Sequence, residues 1–284
     1  MPTAADDDLW ASTSPVRADG PILVDGVPVE HYLWDGHDGE RPVDADGKWL
    51  DSTSLCEWVR ARSPVVMLGM SMGKDSLATL HRLREHWNAD EIIAYHLYVA
   101  PGMGFIERSA AYYRRTLGIR IVMLPNRSCY RYLNDAVLQP PHTLPVIWGA
   151  RLPDPSYPDI YWSIANYVGI NDIKPWVAHG IRATDSPMRR MLMERHGPWR
   201  PSERVFHPIW DWRIRDVRDV LVKNGTRLPV DYRLFGRSYD GLDYRFIEPM
   251  REHFPEDVER LRALYPLLDL DRWRRGGPKP DERD

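Results

Sequence analysis

The 284-residue chain is 43% apolar and 28% charged, with a formal net charge of −3. That is the composition of a folded protein, and it lacks the overall basic field that would make nucleic acid the first expected partner. No run of about 18 apolar residues offers a membrane-spanning helix, and the acidic stretch Met1–Asp8 has no apolar core of a signal peptide. Cys56 and Cys129 stand far apart, outside any Cys-x-x-Cys pattern. They point to a reducing, cytoplasmic setting, and this chain alone cannot supply a four-cysteine zinc or iron–sulfur site.

Residues 1–20 are small, polar and Asp-rich, which predicts poor order. Ile22–Val29 holds an Asp-Gly turn between apolar runs and predicts a hairpin. Trp34–Lys48 is Gly- and Asp-rich and reads as loop. Ser52-Thr53-Ser54 offer N-caps for a helix over Leu55–Arg62. Residues 1–50 are too poor in apolar side chains for a core of their own, so they read as an extension of the main domain, residues 51–245. Residues 246–284 form a C-terminal helical tail.

From Val65 the pattern alternates. Val65–Leu68 is an apolar run of strand length, Ser76–Trp87 has helical spacing, and Glu91–Val99 is strand-like. Phe105–Leu117 is helical with Gly118 as terminator, and Ile119–Leu124 is strand-like again. Strands separated by helices of this length predict an α/β fold, a parallel twisted sheet with helices on both faces in the Rossmann-like manner. Ligands of such sheets lie beyond the carboxyl ends of the strands, which brings Gly69–Ser76, Val99–Gly104 and Pro125–Ser128 around one crevice. Gln139–Pro158 is proline-dense without periodicity and reads as a long loop, an acceptor-binding or partner surface or else a rigid spacer. Tyr161–Val168 reads as a short helix and Trp176–His179 as a fourth strand.

The chemistry concentrates after Val65–Leu68. Gly69, Ser71, Met72, Gly73, Lys74, Asp75 and Ser76 join a strand to a helix N-terminus, a geometry that turns unpaired backbone N–H groups towards an anion. The glycines permit close approach, Lys74 adds a cation, and Asp75 would hold a metal or cap the helix. The spacing differs from the Walker loop. A second cluster follows the fourth strand: Gly180, Arg182, Asp185, Ser186 and Arg189, whose guanidinium forks suit phosphate or sulfate oxygens. His96 and His179 close strands beside the crevice, with a structural role the simpler reading. Cys129 stands where a helix start would lower its pKa, or is merely a small buried residue. Trp210-Asp211-Trp212 reads as a packing corner.

Ser71-Met72-Gly73-Lys74-Asp75-Ser76 resembles the Ser-Gly-Gly-Lys-Asp-Ser loop of PP-loop ATP pyrophosphatases, with Met72 replacing a glycine. Gly180, Arg182, Asp185, Ser186 and Arg189 match the Gly-x-Arg-x-x-Glu/Asp-Ser-x-x-Arg segment of PAPS reductases and the small subunit of ATP sulfurylase. Pro208-Ile209-Trp210-Asp211-Trp212 with Asp216-Val217 is similar to a further segment of that family. The resemblance implies an adenine nucleotide, ATP or PAPS, with Mg²⁺ on Asp75, the nucleotide held by the loop, His96 and the Gly180–Ser186 segment, and Lys74, Arg182 and Arg189 as catalytic residues. The family's late cysteines are missing, so no iron–sulfur cluster is expected and the reductase chemistry is in doubt.

Three readings stay open at this stage. The first is ATP cleavage between the α- and β-phosphates to adenylylate an unidentified acceptor. The second is sulfonucleotide reduction through Cys129 or a partner's thiol. The third is a non-catalytic nucleotide-binding subunit of a modification or defence complex. A protein partner or homo-oligomer fits each of them, and a nucleic-acid partner is neither demanded nor excluded.

Overall fold

The computed structural model describes residues 40–170 and 175–275, together with the backbone pairing of 23–24 and 27–28. The expected hairpin is present as β1 (Leu23–Val24) paired antiparallel with β2 (Val27–Pro28). The rest of the acidic N-terminal stretch lies outside the described residues. Residues 40–50 turn back on themselves through a bridge between Val43 and Trp49. Helix α1 (Ser52–Arg60) then starts one step earlier than its three hydroxyl residues suggest, because Asp51 is the cap and accepts from the Ser54 N–H at 2.8 Å.

The central strands are β3 (Val66–Gly69), β4 (Ile92–Tyr98), β5 (Ile121–Pro125) and β6 (Trp176–Ala178). All four are parallel, and β8 (Val205–Phe206) continues the parallel sheet beyond β6. β7 (Trp199–Arg200) closes that edge antiparallel, giving the order β5-β4-β3-β6-β8-β7. The chain therefore winds outward from β3 to β5, then returns to the other side of β3 at β6. β7 and β8 escape a sequence reading because two-residue strands carry no readable period.

Burial on both faces follows the two-residue alternation of the strands. Val66, Leu68, Ile92, Ala94, Ile121, Trp176 and Phe206 enter one core, against α1, α2 (Lys74–Leu83) and α3 (Gly104–Leu117). Met67, Ile93, Tyr95, Val122, Val177 and Val205 enter the other, under Ile160, Tyr161 and Ile164 of α6 (Tyr157–Tyr167). The α3 terminator behaves as expected, Gly118 closing the helix at φ +58°.

The proline-dense stretch is a correction. After α4 (Arg127–Asn134) it folds into a 3₁₀ turn and α5 (Leu144–Ala150), and α6 begins at Tyr157, four residues earlier than its apolar pattern suggests. Pro145 and Pro158 sit in the first turns of α5 and α6, where a missing N–H costs nothing. Reciprocal bonds between Ser156 and Asp159 fix the start of α6.

The C-terminal segment contains α7 (Pro187–His196), α8 (Ile214–Lys223), α9 (Val230–Phe235), α10 (Tyr244–His253), α11 (Pro255–Leu264) and α12 (Leu270–Arg274). The boundary drawn at 245/246 falls inside α10. Ile247, Met250, Val258, Leu261 and Tyr265 share the core that backs β3 and β4. Asp257 of α11, 2% exposed, receives the Gly104 and Phe105 N–H groups at 2.7 and 3.1 Å, capping α3 from 153 and 152 residues away.

Candidate functional site

β3 and β6 are adjacent, but the chain leaves them in opposite lateral directions. Their carboxyl ends form the switch point of the sheet, the place where ligands of such folds bind. The segment Met70–Gly73 leaves β3 there, and 179–186 leaves β6 beside it. Gly180 shows how tightly the two pack: a Cβ on it would stand 2.8 Å from the Asp75 carbonyl oxygen. Gly69 serves the same purpose on the other side, since a Cβ there would meet His179 Cδ2 at 2.8 Å.

The loop is pinned from beneath. Met70 N–H donates to the Tyr95 carbonyl at 2.7 Å, and buried His96 donates through Nδ1 to the Met70 carbonyl at 2.9 Å. Burial lowers the His96 pKa, so the ring is neutral. His96 thus supports the loop from behind. Met72 takes the left-handed conformation at φ +62°, which explains why the resembling loops place glycine there. Its side chain, 3% exposed, turns into the core.

Gly73 caps α2, and the Ser76 hydroxyl turns back to the Gly73 carbonyl at 2.9 Å. The Ser71 hydroxyl meets the Gly73 N–H and Ser76 Oγ, both at 3.3 Å. Among the described residues the Asp75 and Ser76 N–H groups have no acceptor. The Lys74 N–H has one that the sequence does not announce: it donates to the Tyr232 hydroxyl at 3.0 Å. Tyr232 comes from α9, held by contacts of Phe235 with Phe105 and Phe246, and Ser238 stands beside it over Gly73.

From Lys74 an alternating chain of charges links the two segments. Lys74 Nζ lies 2.5 Å from one Asp75 oxygen, and Arg182 Nε lies 3.0 Å from the other. Arg182 Nη2 reaches Asp185 at 2.5 Å, and Asp185 holds Arg189 at 2.6 Å. Arg182 Nη1 donates to Thr184 Oγ1 at 3.2 Å, so all three of its nitrogens are engaged while its side chain is 6% exposed. It is the buried rivet between the two segments, whereas Arg189, 48% exposed, keeps donors turned outward. Ser186 caps α7 through the Arg189 N–H at 3.2 Å. Both Asp75 oxygens lie on cations in this arrangement. Among the described residues no group of three or more His, Cys, Asp or Glu could hold a metal.

Asp211 and its tryptophans form the packing corner the sequence suggests. Asp211 accepts the Ser52 N–H at 3.2 Å and the Ser52 hydroxyl, Trp210 donates to the Leu50 carbonyl at 3.0 Å, and Ala183 N–H donates to Trp210 at 2.7 Å. His179 is bonded to the Tyr95 hydroxyl at 2.9 Å, and its carbonyl accepts from His207 Nδ1 at 3.3 Å. Burial lowers the pKa of His179 to about 4 and, with His179 adding repulsion, that of His207 to about 3. Of the two readings of Cys129 the structure bears out the small buried residue: the thiol is buried, and burial raises its pKa where a helix start was to lower it.

No family model and no curated protein matches this chain. Solved structures similar to it include an NH3-dependent NAD synthetase from Campylobacter jejuni, described in complex with nitrate. That match has 14% identity and a TM-score of 0.39, covering 80% of this chain and 96% of the synthetase. Another is a U34-tRNA thiolase from Methanococcus maripaludis, described with its 4Fe–4S cluster, at 15% identity and a TM-score of 0.39, covering 79% of this chain and 82% of the thiolase. Likeness at this level decides neither substrate nor reaction.

Proposed function

We propose that the protein binds ATP at the switch point and cleaves it between the α- and β-phosphates, passing AMP to an acceptor and releasing pyrophosphate. The observation that carries this reading is the start of α2. There the Asp75 and Ser76 N–H groups, free of acceptors among the described residues, share one loop with the Lys74 ammonium at the carboxyl end of β3. Backbone donors and a helix dipole stabilise oxyanions where charge develops, without reorganisation at the moment of reaction.

In this reading Lys74 swings from Asp75 to the leaving pyrophosphate, and the Ser71 hydroxyl turns to a phosphate oxygen. Arg189 faces the α-phosphate side. Arg182 positions Asp75 and Asp185 and does not grip phosphate itself, because each of its nitrogens already holds a partner and its side chain is only 6% exposed. The reductase alternative is disfavoured by Cys129, whose raised pKa withholds the thiolate that sulfur chemistry needs.

Incubation of the protein with γ-labelled ATP, a divalent cation and a panel of acceptors should release labelled pyrophosphate. Lys74→Ala should reduce release at least 100-fold. Tight ATP binding without pyrophosphate from any acceptor would instead leave a nucleotide-binding subunit.

A further inference from the structure

A cleft of about 920 Å³ has Arg189 in its lining and no residue of the β3 loop. α7, β7 and the turn at residues 41–49 build its walls. Four arginines line it, Arg41, Arg189, Arg195 and Arg200, together with His196 and His207, and none of the lining residues is acidic. A chain with net charge −3 has concentrated cations here and kept carboxylates out. The volume falls in the range that holds a nucleotide-sized ligand, roughly 300–1,000 Å³.

The cations are arranged to stay available. Arg189 leans on Asp185 and Arg200 on Glu203 at 3.4 Å, both partners lying outside the lining. Among the described residues, Arg41 and Arg195 have no carboxylate within ion-pair distance. The Arg41 guanidinium is instead parked over the Trp49 ring, 4.5 Å from its centre. Trp49 is clamped to α7 by its indole N–H on the Glu194 carbonyl at 3.4 Å and by contact with Gly197, where a Cβ would stand 2.7 Å from the ring. Two positive charges with no carboxylate partner among the described residues, in one concave site, match a phosphate monoester, which carries about 1.5 to 2 negative charges at neutral pH.

We propose that this cleft is a second anion site, for a ligand bearing a terminal phosphate, either a free phosphorylated metabolite or the 5′ end of a nucleic-acid strand. Calling that ligand the acceptor rests on the ATP reading above; the binding itself does not. Arg189 belongs at once to the cleft wall and to the ion chain that begins at Lys74, so the two sites adjoin.

Calorimetry on the full chain tests it, with the 5′-phosphorylated thymidine dinucleotide pTpT as probe and unphosphorylated TpT as control. Arg195 and Arg200 are exposed, so the double variant R195A/R200A should fold, which a thermal melt checks. Expected are binding of pTpT, at least tenfold weaker binding of TpT, and at least tenfold loss in R195A/R200A. K74A should bind pTpT as the native protein does. Glucose 6-phosphate separates the sources: affinity equal to pTpT means a small phosphorylated molecule, and much weaker affinity means a strand end. Equal binding of TpT and pTpT, undiminished binding in R195A/R200A, or loss in K74A would each overturn the cleft assignment. Native protein that binds pTpT and never ATP upholds the anion site and refutes the ATP reading.

Discussion

Arg182 Nε lies 3.0 Å from Asp75 Oδ1, although 107 residues separate them. That bond ties the first turn of α2 to the segment after β6 and makes a buried guanidinium the common partner of two carboxylates. Removing it in Arg182→Ala takes away the buried cation that Asp75 and Asp185 share, while Asp75 keeps Lys74 and Asp185 keeps Arg189. Breaking a buried pair on one side costs on the order of 3–5 kcal/mol, and the remaining cations reduce this to about 2–3 kcal/mol. Chemical denaturation should show a loss of that size, with Arg182→Lys between the variant and the native protein. Unaltered stability with a loss confined to nucleotide affinity would mean that Arg182 acts on ligand after all.

The Tyr232 hydroxyl receives the Lys74 N–H at 3.0 Å, at the position an anion's oxygen would take on α2. In the proposed function an incoming phosphate displaces it. Tyr232→Phe removes the competitor, worth about 1 kcal/mol for a neutral hydrogen bond, so ATP should bind roughly fivefold more tightly. Calorimetric titration measures this. Weaker binding in Tyr232→Phe would mark the hydroxyl as a ligand of the nucleotide.

Met72 sets two effects against each other. Replacing it with glycine relieves a left-handed backbone at about 1–2 kcal/mol. It also empties a buried methionine site, at about 2–5 kcal/mol. The second effect is the larger, so Met72→Gly should lower stability by roughly 1–3 kcal/mol in equilibrium unfolding, even though it restores the glycine of the resembling loops.

His81, His179 and His207 are held neutral, with pKa values lowered by burial to about 4, 4 and 3. Unfolding returns each to its ordinary value near 6.5, so below that pH the unfolded chain binds more protons than the folded one. Stability is therefore complete above about pH 6.5 and falls as the pH drops from there towards 4. Between pH 7 and pH 5 each histidine should contribute a loss on the order of 2 kcal/mol. Urea midpoints at the two pH values measure the sum. His81→Gln, which keeps a polar partner for the Thr226 hydroxyl at 2.7 Å, should flatten the dependence by about one third if the three contribute alike.

The alternation of strand and helix from Val65 to Leu124, the α/β class and the position of the loop at a helix N-terminus follow from sequence alone. The two-residue and 3.6-residue periods and the Gly118 terminator are local properties of the chain. Proline misleads in residues 139–158 because its composition signals loop, while its fixed φ also starts helices, as Pro145 and Pro158 do. The residues of the loop and of the Gly180–Arg189 segment are equally legible, and their type already suggests an anion. Their roles are not, because roles depend on partners far along the chain. Only the tertiary structure turns Arg182 from a phosphate fork into a buried rivet, sets His96 behind the loop, buries Cys129, brings Tyr232 onto Lys74 and gathers four arginines into one cleft. Sequence fixes which charges and donors the chain carries; packing decides which of them are spent on each other and which remain for a ligand.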